Sequence, residues 1–342
     1  MKLETISKNL LYSFNSEAEL IKAIIQISEN FTTNRAKLET YLKEEKFVSA
    51  YSVFYLSTNL KKLTACMDKI KLSLDLFSDY EFFDIGAGPG TFSLALLAEN
   101  SDLKISSFET ADLMNTQALK FVRAIYPNAN YTQYDRLNNV PSKEAKRFGI
   151  FGHSANEMSE DTILNIITKL DLDEVLFIEP GTKEFFRKSL CLRDKLLKKF
   201  NMNYPCLSAN SCAMSDDPTN WCHQYLSIKQ DHDVERLTQL ARKDRRSLPI
   251  TLHHYSKNEI KSKSEESRIV RKYSETKFSF EYQVCQTHDD ENKLNDLQLL
   301  KRPYSKKELK VLQLMLSGDS FEYNLEKSLE NGKERGKIIG FS

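Results

Sequence analysis

No apolar run in this chain of 342 residues approaches the length of a membrane span. The first twenty residues carry Glu4, Glu17 and Glu19 and lack both the apolar core of a signal peptide and an arginine-rich transit pattern. That predicts an uncleaved, cytosolic chain without a membrane partner. An excess of charge is missing too: 49 Lys and Arg against 48 Asp and Glu leave +1, so any basic footprint has to be local. No internal repeat is visible, and the close C-x2-C pairs of zinc ribbons are absent.

Hydrophobic residues make up 40% and charged ones 28%, ordinary for a globular protein, and the length suggests about two domains. Six cysteines (66, 191, 206, 212, 222 and 285) point to free thiols or metal rather than disulfides. Cys66 falls on an apolar helical pattern and Cys191 within a helix, so both read as small packing residues.

The chain is organised around Phe82-Phe83-Asp84-Ile85-Gly86-Ala87-Gly88-Pro89-Gly90-Thr91, an apolar strand, a turn on three glycines, and a helix resuming at Phe92. Gly86, Gly88 and Gly90 remove the side chains that would keep backbone away from a ligand, and permit positive φ. The dinucleotide pattern G-x-G-x-x-G is not kept, because the third glycine comes one residue early. Glu109 ends the next apolar run, nineteen residues beyond Gly90, where a carboxylate accepts hydrogen bonds from ribose hydroxyls. This form resembles the class I S-adenosylmethionine-dependent methyltransferases.

Residues 1–77 read as an N-terminal helical extension, with a capping box at Ser16 and Glu19 and an apolar pattern from Val48 to Leu74. Residues 78–200 alternate strands and helices, the pattern of an α/β, doubly wound, mostly parallel, Rossmann-like sheet. Ligands sit at the carboxyl ends of such strands, which places Asp84, Gly86, Ala87, Gly88, Gly90, Glu109 and Asp135 as cofactor-binding residues, with the His153–Glu157 loop and Glu179 at the same edge. Residues 201–290 read as a Cys-rich, metal-binding insertion with a basic segment and a returning alternating strand at Phe278–Val284. Residues 291–342 read as a helix near 306–316 and a charged tail.

Cys206, Cys212 and Cys222 fall within seventeen loop residues, and Cys285 follows on the returning strand. Four thiolates are what a structural zinc or an iron–sulfur cluster requires, and spacing does not choose between them. The joint occurrence of D-I-G-A-G-P-G-T (84–91), I-E-P-G-T (178–182), P-C (205–206), C-A-M (212–214), W-C-H (221–223) and the late V-C (284–285) is similar to the methyltransferase-like small-ribosomal-subunit protein family, the mitochondrial assembly factors and their bacterial relatives. The resemblance runs from about Ala50 to Leu316. It implies an S-adenosylmethionine-binding fold, a [4Fe–4S] cluster on Cys206, Cys212, Cys222 and Cys285, and action on the small ribosomal subunit and its RNA. Leu207 and Ala213 stand where relatives tend to have proline, and Arg245-Arg246-Ser247-Leu248-Pro249-Ile250 replaces an acidic, aromatic segment.

Methyl transfer needs in-line positioning and sometimes a base. The Asp/Asn-Pro-Pro-aromatic motif of exocyclic-amine methylation is absent after the fourth strand, where His153-Ser154-Ala155-Asn156-Glu157 stands. His153 and Glu157 are the candidate bases, set against structural polar groups at a helix entrance. Pro205-Cys206 imitates a cytosine-C5 nucleophile but is better used as a ligand. The reading is an RNA methyltransferase of the small subunit, monomeric. A non-catalytic assembly factor that keeps the donor site, and a small-molecule methyltransferase with structural Zn2+, are the alternatives. Arg242–Arg246 and Arg268–Lys272 form the local basic footprint expected for RNA, with solvated helix faces as the plain alternative.

Overall fold

A computed structural model of the protein describes residues 1–33, 42–258, 266–288, 291–330 and 332–341. Its contacts divide the chain into two compact units, one of residues 1–178 and 226–248, the other of residues 179–225 and 249–342.

The first unit is built on five strands, of which β1, β4 and β5 are apolar runs buried on both faces, the habit of a parallel sheet covered by helices. Strands β1 (Glu81–Ile85), β2 (Lys104–Phe108), β3 (Tyr131–Tyr134), β4 (Arg147–Gly152) and β5 (Glu174–Pro180) lie in the order 3-2-1-4-5. All four pairings are parallel. β1 is central and buried along its whole length. Helices Thr91–Glu99, Asp112–Ile125 and Glu160–Lys169 connect the strands. Ser159 caps the last of these by accepting from the Thr162 N–H at 3.1 Å, with Glu160 and Asp161 at its positive end.

The N-terminal segment is helical as expected: Leu3–Lys8, Glu17–Thr33, Glu45–Tyr51 and Ser57–Lys69, with a π-turn at Ser52–Leu56 between the last two. Ser16 caps its helix, accepting from the Glu19 N–H at 3.2 Å, but the expected box is only half made. The Glu19 carboxylate accepts from the Asn15 N–H, the Tyr12 hydroxyl and Lys46 instead. Lys46 and the Asn15 N–H together hold its pKa down to about 2.

In the second unit β6 (Asn201–Tyr204) pairs antiparallel with a later strand, β8 (Ser247–Ser256). β7 (Gln224–Ser227) follows the cysteine-bearing loop. Beyond them β9 (Ser267–Glu275), β10 (Ser279–His288), β11 (Glu291–Leu300), β12 (Ser320–Ser328) and β13 (Glu334–Phe341) close into a barrel in the order 10-11-13-12-9. Phe280, Tyr282, Val284, Leu297, Leu299 and Phe321 fill it. Helix Lys306–Leu314 adds Leu312 to that core, and its carbonyl accepts from the Tyr282 hydroxyl at 2.9 Å.

The barrel corrects the expectation for the C-terminal stretch. After residue 291 the structure adds three strands to the expected helix, where the sequence reads as a charged tail. Register shifts at Glu322/Tyr323 and Leu325/Lys327 interrupt, in β12 and β13, the period-two alternation that reveals a strand. The helix itself is as expected and carries a full capping box between Ser305 and Glu308.

Candidate functional site

The turn after β1 is left-handed at all three glycines, with φ of +69° at Gly86, +54° at Gly88 and +81° at Gly90. Gly86 is required twice, since an added Cβ would also stand 2.4 Å from the Ser154 Cβ. At Gly88 an added Cβ meets no protein atom within 4 Å. It would project into a cleft of about 1140 Å³ lined by Gly86–Gly88, Phe108–Met114, Gly152–Ser154 and Asn156–Met158, with Tyr51 and Asn59 from the helical segment. This is a backbone cradle with room for a ligand at the carboxyl ends of β1, β2 and β4.

Glu109 sits at its mouth. One carboxylate oxygen accepts from the Gly88 N–H at 2.9 Å, and the other from the Thr110 and Ala111 N–H groups at 2.7 and 2.9 Å. Asp84 acts beneath the turn rather than in the cleft. It is 1% exposed and accepts from both the N–H and the hydroxyl of Ser93, each at 2.8 Å, pinning the helix that begins at Thr91. Burial pushes its pKa up to about 6. Gly90 is the N-cap of that helix, and Asp135 accepts from Asn139 at 3.1 Å; neither lines the cleft. Glu179 is fully buried and is not a lining residue either.

His153 and Glu157 do line it. His153 adopts φ +60°, and its Nε2 lies 2.6 Å from the Nζ of Lys62, itself only 1% exposed. Packing around the ring, then the charges of Lys62 and Arg245, hold its pKa well below the usual histidine range. The ring is therefore neutral. With Lys62 donating to Nε2, the hydrogen belongs on Nδ1. Tyr51 has its pKa raised by burial and then by Glu157. The amide oxygen of Asn59 is buried on the cleft wall with no hydrogen-bond donor among the described residues.

Lys62, Asn59 and Tyr51 are absent from the sequence-based site. Their signal is present: Asn59, Lys62, Leu63 and Cys66 share one helical stripe, all buried, and two of the four are polar.

The second constellation lies wholly in the other unit. Cys212, Cys222 and Cys285 pack on one apolar cluster of Phe186, Met214 and Val270, beside Trp221 and Leu294. Cys206 is within electrostatic reach of all three. Burial first, then the neighbouring thiols, raise the pKa of Cys222 well above its ordinary value and that of Cys285 to about 12. The Met214 N–H points at the Cys212 sulfur at 3.5 Å, and the Gln224 amide at the Cys222 sulfur at 3.7 Å. Among the described residues no group of three or more His, Cys, Asp or Glu is arranged to hold a metal ion. Cys66 is buried and Cys191 exposed, and neither is among the residues of that apolar cluster.

Helix Lys183–Leu196 supports the cysteine loop with two arginines that the sequence shows only as part of a basic helix. Arg187 donates to the carbonyls of Met214, Ser215, Asp217 and Asn220. Arg193, 2% exposed, donates to those of Ser208 and Asn210.

Part of each basic footprint is engaged within the fold. Arg245 lies over the rings of Phe54 and Tyr55 at 5.7 and 5.3 Å, Arg268 is buried against Tyr204, and Arg271 donates to Asn220. Arg246 makes an exposed pair with Asp244 at 2.8 Å. The part of the basic segment at residues 259–265 lies outside the described residues.

A ligand cradle at the carboxyl edge of a 3-2-1-4-5 sheet, entered over a left-handed glycine turn and faced by the acid ending β2, is a methyltransferase-like α/β arrangement. Residues 45–311 match the family described as mitochondrial small ribosomal subunit Rsm22, and the chain belongs to that family. No curated protein matches the chain. Among solved structures, the chain is similar to magnesium protoporphyrin IX methyltransferase from Synechocystis PCC 6803 (TM-score 0.39, 9% identity, 72% of this chain and 100% of that one). It is also similar to precorrin-6y C5,15-methyltransferase from Geobacter metallireducens GS-15 (0.37, 13%, 57% and 87%) and to the 16S rRNA methylase RmtB (0.35, 12%, 59% and 92%).

Proposed function

We propose that the protein binds S-adenosylmethionine in the cleft of its first unit, acts on the small ribosomal subunit and its RNA, and carries a structural [4Fe–4S] cluster in its second unit. The donor reading is carried by one observation: the Gly88 position opens into the cleft beside the Glu109 carboxylate, a backbone approach and an acid where an adenosyl group needs them. In this reading Glu109 exchanges part of its backbone bonding for the ribose hydroxyls. Family membership supports the ribosomal partner.

Three observations support the cluster reading: Cys212, Cys222 and Cys285 pack on one apolar cluster, Cys206 lies within electrostatic reach of them, and the Met214 N–H and Gln224 amide are aimed at two of the sulfurs. Cys206, Cys212, Cys222 and Cys285 would hold it, the cluster supplying the positive charge that lets buried thiols ionise. Zinc on the same thiols is the competing occupant. Purification without oxygen distinguishes them: a brown protein with a broad absorption band at the violet end of the visible, containing iron and sulfide, supports the cluster, and a colourless zinc protein removes it.

A specific contact favours a second reading for the chemistry. Lys62 occupies the His153 nitrogen that a general base would offer, so the cleft is better equipped to position an acceptor than to deprotonate it. A non-catalytic assembly factor would keep the donor site and the cluster. Incubating the protein with methyl-labelled donor and isolated small subunits decides between them: label in the RNA supports an enzyme, whereas donor binding and subunit association without label support the assembly factor.

A further inference from the structure

The barrel of the second unit has a connectivity of its own. Numbered from β9, its strands run 1-2-3-5-4 and close back on 1, the third and fifth are parallel, and the helix lies between the third and fourth. That is the topology of the OB-fold, a barrel that uses the outer face of its second and third strands and the loops beside them to hold oligonucleotides or oligosaccharides. Topology alone assigns no ligand. The side chains on this face do.

One half of the face is covered: Val270 on β9, Cys285 on β10 and Leu294 on β11 pack into the cysteine region. The other half carries one exposed aromatic ring, and a second stands at the adjoining turn. Tyr273 on β9 is 45% exposed and lies within electrostatic reach of Asp296 on β11. Asp296 alternates with the core residue Leu297 and sits opposite Gln283 of β10, which puts it on the outer side of the sheet. Phe278, at the β9–β10 turn, is 71% exposed with the Lys277 ammonium 5.7 Å from its ring centre. Two cations stand on the same side of the sheet. Lys333 contacts Glu281 at 2.9 Å, and Arg335 donates to the Gln298 side chain at 3.0 and 2.8 Å, in the row where β10, β11 and β13 meet.

We propose that this half-face is a platform for single-stranded RNA, with bases stacking on Tyr273 and Phe278 and phosphates meeting Lys277, Lys333 and Arg335. Resting on the ribosomal reading above, it names where RNA is held. Two exposed rings beside cations suit unpaired bases, whose π-faces are accessible, better than a duplex, whose faces are stacked. Lys333 and Arg335 exchange neutral or carboxylate partners on the sheet for phosphate, while Glu281 and Asp296 limit how much general anion binding the face supports.

The test uses the full chain and a short unstructured, fluorescently labelled oligoribonucleotide, followed by anisotropy at several salt concentrations, with the same sequence as a duplex alongside. Single strand should bind more tightly than duplex. Replacing both Tyr273→Ala and Phe278→Ala should weaken it by about tenfold or more, Tyr273→Phe should not, and Lys277→Glu should lower the slope of affinity against salt by about one unit. The double alanine variant binding like the parent, or duplex binding as tightly as single strand, overturns the platform. Wild-type protein with no affinity for any RNA sinks the platform and the RNA half of the functional reading together, whereas unchanged binding by the variants removes the platform alone. Calorimetric S-adenosylmethionine binding, made in the other unit, should be the same in every variant.

Discussion

The ammonium of Lys62 lies 2.6 Å from Nε2 of His153, a residue that lines the cleft. The shared contact fixes the imidazole tautomer and keeps the ring neutral, because burial and the adjacent cations penalise its protonated form. Replacing Lys62→Met removes one of those cations while the packing stays. The His153 pKa should rise in the variant yet remain below the ordinary value. Titrating the imidazole signals of histidine-labelled protein by NMR checks this, and an unchanged His153 curve would show that the lysine does not set it.

Gly86 and Gly88 sit two residues apart and should respond differently to alanine. Gly86→Ala combines a left-handed backbone with a collision at Ser154 and should destabilise the fold by about 2–5 kcal/mol. Gly88→Ala meets only open cleft and should cost about 1–2 kcal/mol in stability, its main effect being lost affinity for S-adenosylmethionine. Thermal unfolding without ligand, paired with calorimetric titration, separates the two; equal stability losses would contradict the assignment.

Arg187 anchors the cysteine loop by donating to four carbonyls between Met214 and Asn220. Arg187→Leu leaves those acceptors without their charged donor, a loss of about 2–4 kcal/mol to the local structure. Limited proteolysis should then cut between residues 206 and 222 faster than in the parent. Comparable cleavage rates would mean the loop holds itself.

Acid should weaken the second unit through His253. Burial, followed by the charge of Arg193, depresses its pKa to about 3, against about 6.5 for an unfolded histidine. The unfolded chain therefore binds the proton more readily between those values. The stabilisation is fully present above pH 6.5 and declines by about 1.4 kcal/mol per pH unit as pH falls toward 3. The only tryptophan, Trp221, reports on this unit. Urea midpoints followed by its fluorescence should fall from pH 7 to pH 5, and more shallowly in His253→Gln. Parallel pH profiles would exclude this histidine as the cause.

The four-thiol site makes a selective prediction. Serine at Cys206, Cys212, Cys222 or Cys285 should lower the iron content of anaerobically purified protein and bleach its colour, while Cys66→Ser and Cys191→Ser should leave both unchanged. Iron and sulfide analysis alongside the absorption spectrum provides the check. Loss from Cys191→Ser, an exposed thiol outside the proposed ligand set, would undo the ligand assignment.

What was legible in the chain was local. Asp84 to Thr91 dictates its turn because three absent side chains permit φ values other residues resist, and the apolar runs of β1, β4 and β5 announce a sheet buried on both faces. The strands of the barrel were less visible, since bulges shift their alternation and Glu and Lys coat the outside of β12 and β13. Arg245 and Arg268 read as a basic footprint for the opposite reason. Composition records charge, but only packing shows a guanidinium turned onto Tyr55 or Tyr204.

By itself the sequence determined the glycine turn, the acid that faces it and the supply of four thiols, because each is a matter of which atoms are present within a few residues. Tertiary structure alone decided that Cys285 joins cysteines more than sixty residues earlier, that Lys62 meets His153 from another element, and that β9 to β13 close into one barrel. Those are contacts between distant segments, chosen by which surfaces exclude water together, and no period or spacing along the chain encodes them.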